Sequence, residues 1–144
     1  MVRQVGEAPD DCEQEGTLSR RQRIRHDTTA QLAIGLPDEG ILIAQDVVYN
    51  GVHAFIAEQN FDAWIDSIDA LAAKPYETIL PGHGLPGDRS LFAATRSYVA
   101  AARAALKEAS GPDDLSRRLN AAYPSYGGTA LQPLQNFFLY RRKP

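Results

Sequence analysis

Residues 78–84 of the chain read TILPGHG, and residues 41–48 read ILIAQDVV. Each run is rich in branched apolar side chains, and each carries one ionisable residue, His83 in the first and Asp46 in the second. Burying a carboxylate costs free energy unless it has a partner, and carboxylate and imidazole are the usual non-thiolate ligands of zinc. We therefore predict that Asp46 and His83 meet, directly or through a metal ion. The alternative for Asp46 is a turn cap or a pair with an arginine.

The chain around these two runs predicts strands and one helix. Residues 31–36 alternate large and small side chains, a turn follows, and residues 41–48 form the second strand of a hairpin, buried on both faces. Apolar residues at helical spacing then begin after Asn60, a good N-cap, and end before Pro75. Extended chain resumes at residues 77–80, so the order is strand, helix, strand, which indicates a crossover unit on a sheet.

Three further helices are predicted after the glycine-rich turn. Asp88 can cap a long alanine-rich helix that ends before residues 111–112. A shorter helix runs from about Asp113 to Ala122, and the apolar residues around Phe137 indicate a last helix, for which an extended strand is the alternative. The fold class is therefore α/β, with a mixed partial sheet and helices packed on one face.

Bulk composition limits the classes of function. The chain has 144 residues, of which 44% are hydrophobic, enough for one domain with a core, and its net charge of −3 gives no general attraction to nucleic acid or membrane. The lone Cys12 and the lack of a membrane span or signal peptide favour a cytoplasmic protein. Residues 1–28 are polar, with a basic cluster at their end, and are expected to be a flexible segment preceding a domain at residues 29–144.

The order and spacing of Asp46 and the PGHG turn resemble the C-terminal half of a metallo-β-lactamase-fold hydrolase, over about Gln31 to Tyr123. In that superfamily of zinc- or iron-dependent hydrolases, an aspartate at a strand end bridges the metals and a Pro-Gly-His turn supplies the last histidine ligand. The resemblance assigns these two positions to Asp46 and His83. It implies one half of an αβ/βα sandwich, with zinc as cofactor, up to two ions in a complete site, and iron or manganese as alternatives.

The same resemblance implies that most of the metal site is missing. The principal ligand motif of the family, His-x-His-x-Asp-His, is absent, because the chain contains only His26, His53 and His83. At most a minority of the family's ligands can come from this polypeptide. The chain therefore looks like half of an enzyme, which leaves its activity open.

Other candidate site residues follow from position. His53, with Asn50 and Tyr49 before it, could bind metal or line the pocket, and a loop histidine bonded to backbone is an equally weighted alternative. Asp27 rather than His26 falls on a ligand position of the family, and His26 would point away because side chains alternate faces along a strand. Both are doubtful ligands.

Three hypotheses of function follow. The first is a truncated metallo-β-lactamase-fold hydrolase-like protein with an incomplete metal site, inactive alone. The second is a metal-dependent hydrolase completed by an N-terminal-half partner chain or by a homodimer, since an uncovered apolar sheet face favours association. The third is a non-catalytic protein-interaction module that uses the helices of Trp64 and Phe137 as contact surfaces.

Overall fold

The computed structural model describes residues 20–24 and 31–141. These residues form a four-stranded mixed sheet and four α-helices, which confirms the predicted α/β class. In chain order they are β1 (Arg20–Ile24), β2 (Gln31–Leu36), β3 (Ile41–Tyr49), α1 (Phe61–Ala72), β4 (Thr78–His83), α2 (Ser90–Glu108), α3 (Pro112–Ala122), a 3-10 turn (Thr129–Leu131) and α4 (Gln132–Tyr140). No helix in this described part of the chain is long and apolar enough to cross a bilayer.

The four strands form one mixed sheet in the order β1-β2-β3-β4. β1, β2 and β3 pair antiparallel, whereas β3 and β4 pair parallel, with α1 in the connection between them. The predicted hairpin and the predicted crossover are therefore both present. Strand β1 was not predicted, because its sequence, RRQRI, has no apolar alternation. β1 pairs with the edge of β2, whose backbone N–H and carbonyl groups would otherwise have no partner strand.

The rest of the predicted flexible segment lies outside the described residues. This includes Cys12 and every other residue of 1–19, together with residues 25–30. The flexibility of residues 1–19 and 25–28 stays a prediction, whereas residues 20–24 form strand β1.

One face of the sheet packs on α1 and α2 and forms the core. Ala33, Leu42 and Ile79 point to this face and are buried. Trp64 of α1 is only 1% exposed, and its indole N–H donates a hydrogen bond to the Val47 carbonyl oxygen at 2.9 Å. The Trp64 indole thus fills the space between helix and sheet, and the use of its helix as a contact surface stays a prediction.

The opposite face carries a band of large aliphatic side chains, which we call the open sheet face. Opposite one another across the strands are Ile34 and Ile43, and Ile43 and Leu80. All the members of this face are exposed or only half-buried: Leu32, Ile34, Leu36, Ile41, Ile43 and Leu80. The prediction that β3 is buried on both faces is therefore wrong for its first half, since no second layer covers this face in the described part of the chain.

Arg89 ties the end of α1 to the start of α2. Its guanidinium donates hydrogen bonds to the carbonyl oxygens of Ala72 at 2.6 Å, Lys74 at 2.6 Å and Tyr76 at 2.8 Å. These carbonyls lie at or just beyond the carboxyl end of α1, where oxygen atoms lack helical partners. The Arg89 guanidinium thus supplies donors to the last carbonyl oxygen of α1 and to two carbonyl oxygens of the segment that follows it.

The cap predicted for the next helix is also present. The Asp88 carboxylate accepts a hydrogen bond from the Ser90 N–H at 2.8 Å. This hydrogen bonding to Ser90 lowers the pKa of Asp88.

A cluster of aromatic rings fixes the loop that follows β3. His53 is buried there, with its Nδ1 atom 3.1 Å from the Tyr98 hydroxyl oxygen and its ring beside those of Tyr98 and Tyr126. Tyr123 completes the cluster. The backbone N–H of His53 also donates a hydrogen bond to the Gly127 carbonyl oxygen at 2.9 Å. Burial lowers the pKa of His53 and raises that of Tyr98.

We expect Arg89→Lys to lower the free energy of unfolding by about 1–3 kcal/mol, because an ammonium keeps the charge but loses the planar fork that reaches these carbonyls. Urea denaturation measures the change. Arg103→Lys is the control, since Arg103 makes an exposed pair with Asp62 and should change stability little. Equal losses in the two variants would contradict the role of Arg89.

We expect the folded state to lose stability as the pH falls below the unfolded-state pKa of His53, about 6.5. The pKa of His53 is lower when folded, so the unfolded chain binds the proton more readily in this range. Denaturation midpoints in urea at about pH 7.5 and pH 5.5 test this in wild type and in His53→Gln, which should show a flatter pH dependence. Identical pH dependence in wild type and His53→Gln would refute the effect.

Candidate functional site

Asp46 and His83 lie side by side on the neighbouring parallel strands β3 and β4. The His83 Nε2 atom is 3.3 Å from the Asp46 Oδ1 atom, and the two side chains are 51% and 41% exposed. The structure thus brings together the two residues singled out in the sequence and leaves both accessible from solvent. His83 is the last residue of β4, paired opposite Tyr49, rather than part of a turn after the strand.

An irregularity in β3 presents Asp46. The pairing of β3 with β4 shifts register between Ile43 and Gln45 and again between Gln45 and Tyr49. Gln45 has a φ of 52°, in the left-handed region that residues other than glycine seldom adopt. Bulges of this kind bend a strand and re-aim its side chains, often beside functional sites. The bulge is what turns the Asp46 side chain toward β4.

The two glycines beside His83 allow the strands to approach closely. A Cβ atom on Gly82 would lie 2.1 Å from Asp46 Oδ1, so a side chain there would displace the carboxylate. Gly84 has a φ of +92°, and a Cβ atom on it would lie 2.0 Å from the Asn50 carbonyl oxygen. Residues with a side chain fit neither position. The two glycines of the PGHG sequence are therefore required by the geometry around Asp46 and Asn50.

Tyr49 and Asn50 hold the His83 segment from the side of β3. The Tyr49 ring stacks on the His83 imidazole, with ring centroids 5.2 Å apart and planes inclined by 16°. The Asn50 N–H donates to the His83 carbonyl oxygen at 2.9 Å, and its side-chain amide donates to the Leu85 carbonyl oxygen at 2.8 Å. Both residues, predicted as candidate metal or pocket residues, therefore contact His83 or the backbone that follows it.

Thr95 of α2 is a supporting residue that the sequence analysis missed. Its hydroxyl donates to the Tyr49 carbonyl oxygen at 3.0 Å and accepts from the Tyr49 N–H at 3.2 Å. It is buried, and it fixes the end of β3 on which Tyr49 and Asn50 sit. No sequence signal could have indicated it, because a threonine on an alanine-rich helix resembles any other.

The remaining predicted residues lie elsewhere. His53 contacts the tyrosine cluster described above, and its surroundings are those of a buried histidine bonded to a hydroxyl and to backbone. His26 and Asp27 fall within residues 25–30, outside the described residues. Their assignment as ligands, and that of His53, stays a prediction.

The donor set of Asp46 and His83 fits one metal ion. Zinc binds carboxylate oxygen and imidazole nitrogen at about 2.0–2.2 Å in tetrahedral geometry, which places neighbouring ligand atoms about 3.4 Å apart. The observed separation of 3.3 Å between Nε2 and Oδ1 matches this spacing. Within residues 20–24 and 31–141, no three His, Cys, Asp or Glu side chains gather closely enough to hold a metal ion. The described site therefore offers a pair of ligands and no third.

Solved structures with the same architecture are metallo-β-lactamase-fold proteins. A metallo-β-lactamase family protein from Thermus thermophilus superimposes with a TM-score of 0.60 and 20% identity, over 88% of this chain and 46% of that one. A β-lactamase domain protein from Burkholderia ambifaria gives a TM-score of 0.59 and 18% identity, over 98% and 48%. A metallo-β-lactamase from Pontibacter korlensis gives 0.56 and 22%, over 65% and 47%.

No family model and no curated protein sequence matches this chain. Sequence identities near 20% carry the fold alone, and the chain spans slightly less than half of each of these three neighbours. The chain therefore forms part of a metallo-β-lactamase fold.

Proposed function

We propose that the chain is a truncated metallo-β-lactamase-fold hydrolase-like protein that carries part of a metal site and does not turn over substrate by itself. The observation that supports this most directly is the Asp46–His83 pair, whose ligand atoms lie at the spacing of a zinc site without a third ligand nearby in the described residues. Zinc is the proposed cofactor. Iron and manganese are kept as alternatives, because metal dependence is suggested by the fold family and the ligand pair does not select one metal.

Each residue around the pair has a defined part in this proposal. Asp46 and His83 would hold the metal, which when bound supplies a Lewis acid and an activated water for hydrolysis. Tyr49 holds the imidazole plane by stacking, and Asn50 holds the backbone on both sides of Gly84. Gly82 leaves room for the carboxylate. The chain thus presents a shaped half-site whose ligand directions are set before any metal arrives.

Coordination number argues against activity of the isolated chain. Catalytic zinc sites use three protein ligands and keep one position open for water or substrate. A carboxylate and one imidazole leave a first-row ion largely hydrated and weakly held. Both side chains are also half exposed, so the site lacks the enclosure that strengthens electrostatic catalysis.

We expect the purified 144-residue chain to show no turnover of p-nitrophenyl esters, thioesters or β-lactams with added zinc, iron or manganese. The assay measures initial rates against a buffer blank and repeats them after chelation. Asp46→Ala and His83→Ala are run alongside. Robust activity that chelator and both variants abolish would overturn the proposed inactivity and show that the chain completes its own site.

A second candidate function is supported by a separate observation, the open sheet face. Large aliphatic side chains such as Ile34, Ile43 and Leu80 lie exposed or half-buried on the side of the sheet away from α1 and α2. Sheets with apolar residues on both faces normally carry a layer on each. On this alternative, an N-terminal-half partner chain or a second copy covers the face and supplies the missing ligands.

Native mass spectrometry with and without zinc separates these two candidates. The first candidate predicts a monomer that holds zinc weakly. Asp46→Ala and His83→Ala should abolish this zinc binding. The control Asp66→Ala, which removes an exposed carboxylate of α1, should retain it. The second predicts a dimer that retains zinc at stoichiometric amounts. Ile43→Glu, in the open sheet face, should dissociate that dimer and release the metal. A monomer that ignores zinc would refute completion of the site by a second copy, and zinc binding unchanged in both ligand variants would refute the assigned ligands.

A further inference from the structure

Helix α4 is amphipathic, but its polar side chains face the protein interior and its apolar side chains face solvent, which is the reverse of an ordinary surface helix. Its inward face buries three amides, Gln132, Gln135 and Asn136. Its outward face exposes large apolar side chains, with Leu134 51%, Phe137 58% and Phe138 52% exposed. Scattered exposed apolar residues are ordinary, but a contiguous group on one helix face marks an interaction surface. We call this group, together with Leu131 and Tyr140, the α4 face.

Hydrogen bonds fix the rotation of α4 and so keep this face outward. The Gln132 side chain pairs with that of Asn120 of α3, donating to its oxygen at 2.9 Å. Gln135 Oε1 accepts from the Ile56 N–H at 2.9 Å. Asn136 Nδ2 donates to the Pro112 carbonyl oxygen at 3.0 Å. Turning α4 to bury its aromatic rings would break all of these contacts and leave buried polar groups unpaired.

Arg141 is the cationic side chain that the described residues place against the α4 face. Residues 115–144 contain no Asp or Glu, although the whole chain has a net charge of −3. Arg117 and Arg118 of α3 pair with Asp114, and Arg118 also pairs with Glu108. Arg141 lies over the Phe137 ring, 5.7 Å from its centroid, and is followed in sequence by Arg142 and Lys143. The cationic charge beside the aromatic rings therefore has no acidic partner in this stretch of sequence.

A groove of about 610 Å³ lies beside the α4 face, between α4 and the start of α3, and shares Phe137 and Tyr140 with that face. Pro112, Pro133 and Phe137 form apolar parts of its wall, and Arg141 stands at its rim. Asp113 also lines the groove and is the acidic group there. Such a groove can take apolar anchor side chains from a helix laid across it.

We propose that the α4 face docks an acidic amphipathic helix of a partner protein, with its apolar side chains on Leu134 and Phe137 and its carboxylates toward Arg141. A second copy of the chain fits less well, because in a symmetric contact the α4 face meets itself, and α4 carries no acidic side chain to meet Arg141. A lipid surface fits less well because the apolar wall is concave. The site uses neither Asp46 nor His83, so it is independent of the proposed metal chemistry.

The test uses a fluorescein-labelled helical peptide with leucines at i, i+3, i+4 and i+7 and glutamates on the flanking positions. Its lysine counterpart is the matched control peptide. Fluorescence anisotropy with the full chain should show binding of the acidic peptide, weakened by salt, and at least about tenfold weaker binding of the lysine peptide. Leu134→Gln and Phe137→Gln should each weaken binding about tenfold or more. Leu85→Gln and Asp46→Ala should leave it unchanged, since Leu85 is exposed beside His83 and away from α4.

Arg141→Glu provides a second test that leaves the apolar side chains in place, and it should reverse the preference between the two peptides. Circular dichroism checks that every variant is folded. Equal binding of both peptides, or binding unaffected by Phe137→Gln and Arg141→Glu, would overturn the proposal. So would a dimer in light scattering that Phe137→Gln dissociates, which assigns the face to a second copy. Binding to phosphatidylserine vesicles without binding to the acidic peptide would assign it to a lipid surface instead.

Discussion

The close approach of β4 to β3 at Gly82 is the constraint on which the rest of the site depends. The strand can pass beneath the Asp46 carboxylate only because Gly82 has no side chain, and it can continue past Asn50 only because Gly84 has none and adopts a positive φ. The bulge at Gln45 is the matching distortion in β3. Together they convert a regular parallel pair into one that presents two polar side chains at one point.

Layers of support stand behind that point. Tyr49 stacks on His83, Trp64 packs beside Tyr49 with ring centroids 6.0 Å apart, and Thr95 holds the Tyr49 backbone. Helices α1 and α2, joined by Arg89, thereby position the end of β3. The opposite face of the sheet has no comparable support among the described residues, and its aliphatic side chains remain partly in solvent. The end of β3 that carries the candidate metal ligands is therefore well supported, whereas the open sheet face is not.

Some of this could be predicted from the sequence, because the information was local. The β3 and β4 runs, the cap at Asp88 and the pairing of Asp46 with His83 follow from side-chain pattern and chemistry. The surroundings of His53 could not be predicted, since its partners Tyr98 and Tyr126 are distant in sequence. For α4, the spacing of apolar residues predicted a helix but gave no indication of what its inner face carries. Amides occupy the inner positions, since Ile56 and Pro112 offer backbone groups there.

The position of Asp46 and His83 on adjacent strands of a single crossover unit has a consequence for how metal and fold are related. In a zinc finger the ligands lie on segments that do not stay together without the ion, so removing zinc unfolds the domain. Here the Nε2–Oδ1 separation is already 3.3 Å with strand pairing, stacking and two glycines as its cause. A bound ion would occupy a site that the fold has already formed, and the fold would not depend on the ion. Its departure would leave the strands and their spacing in place, and its return would require no refolding.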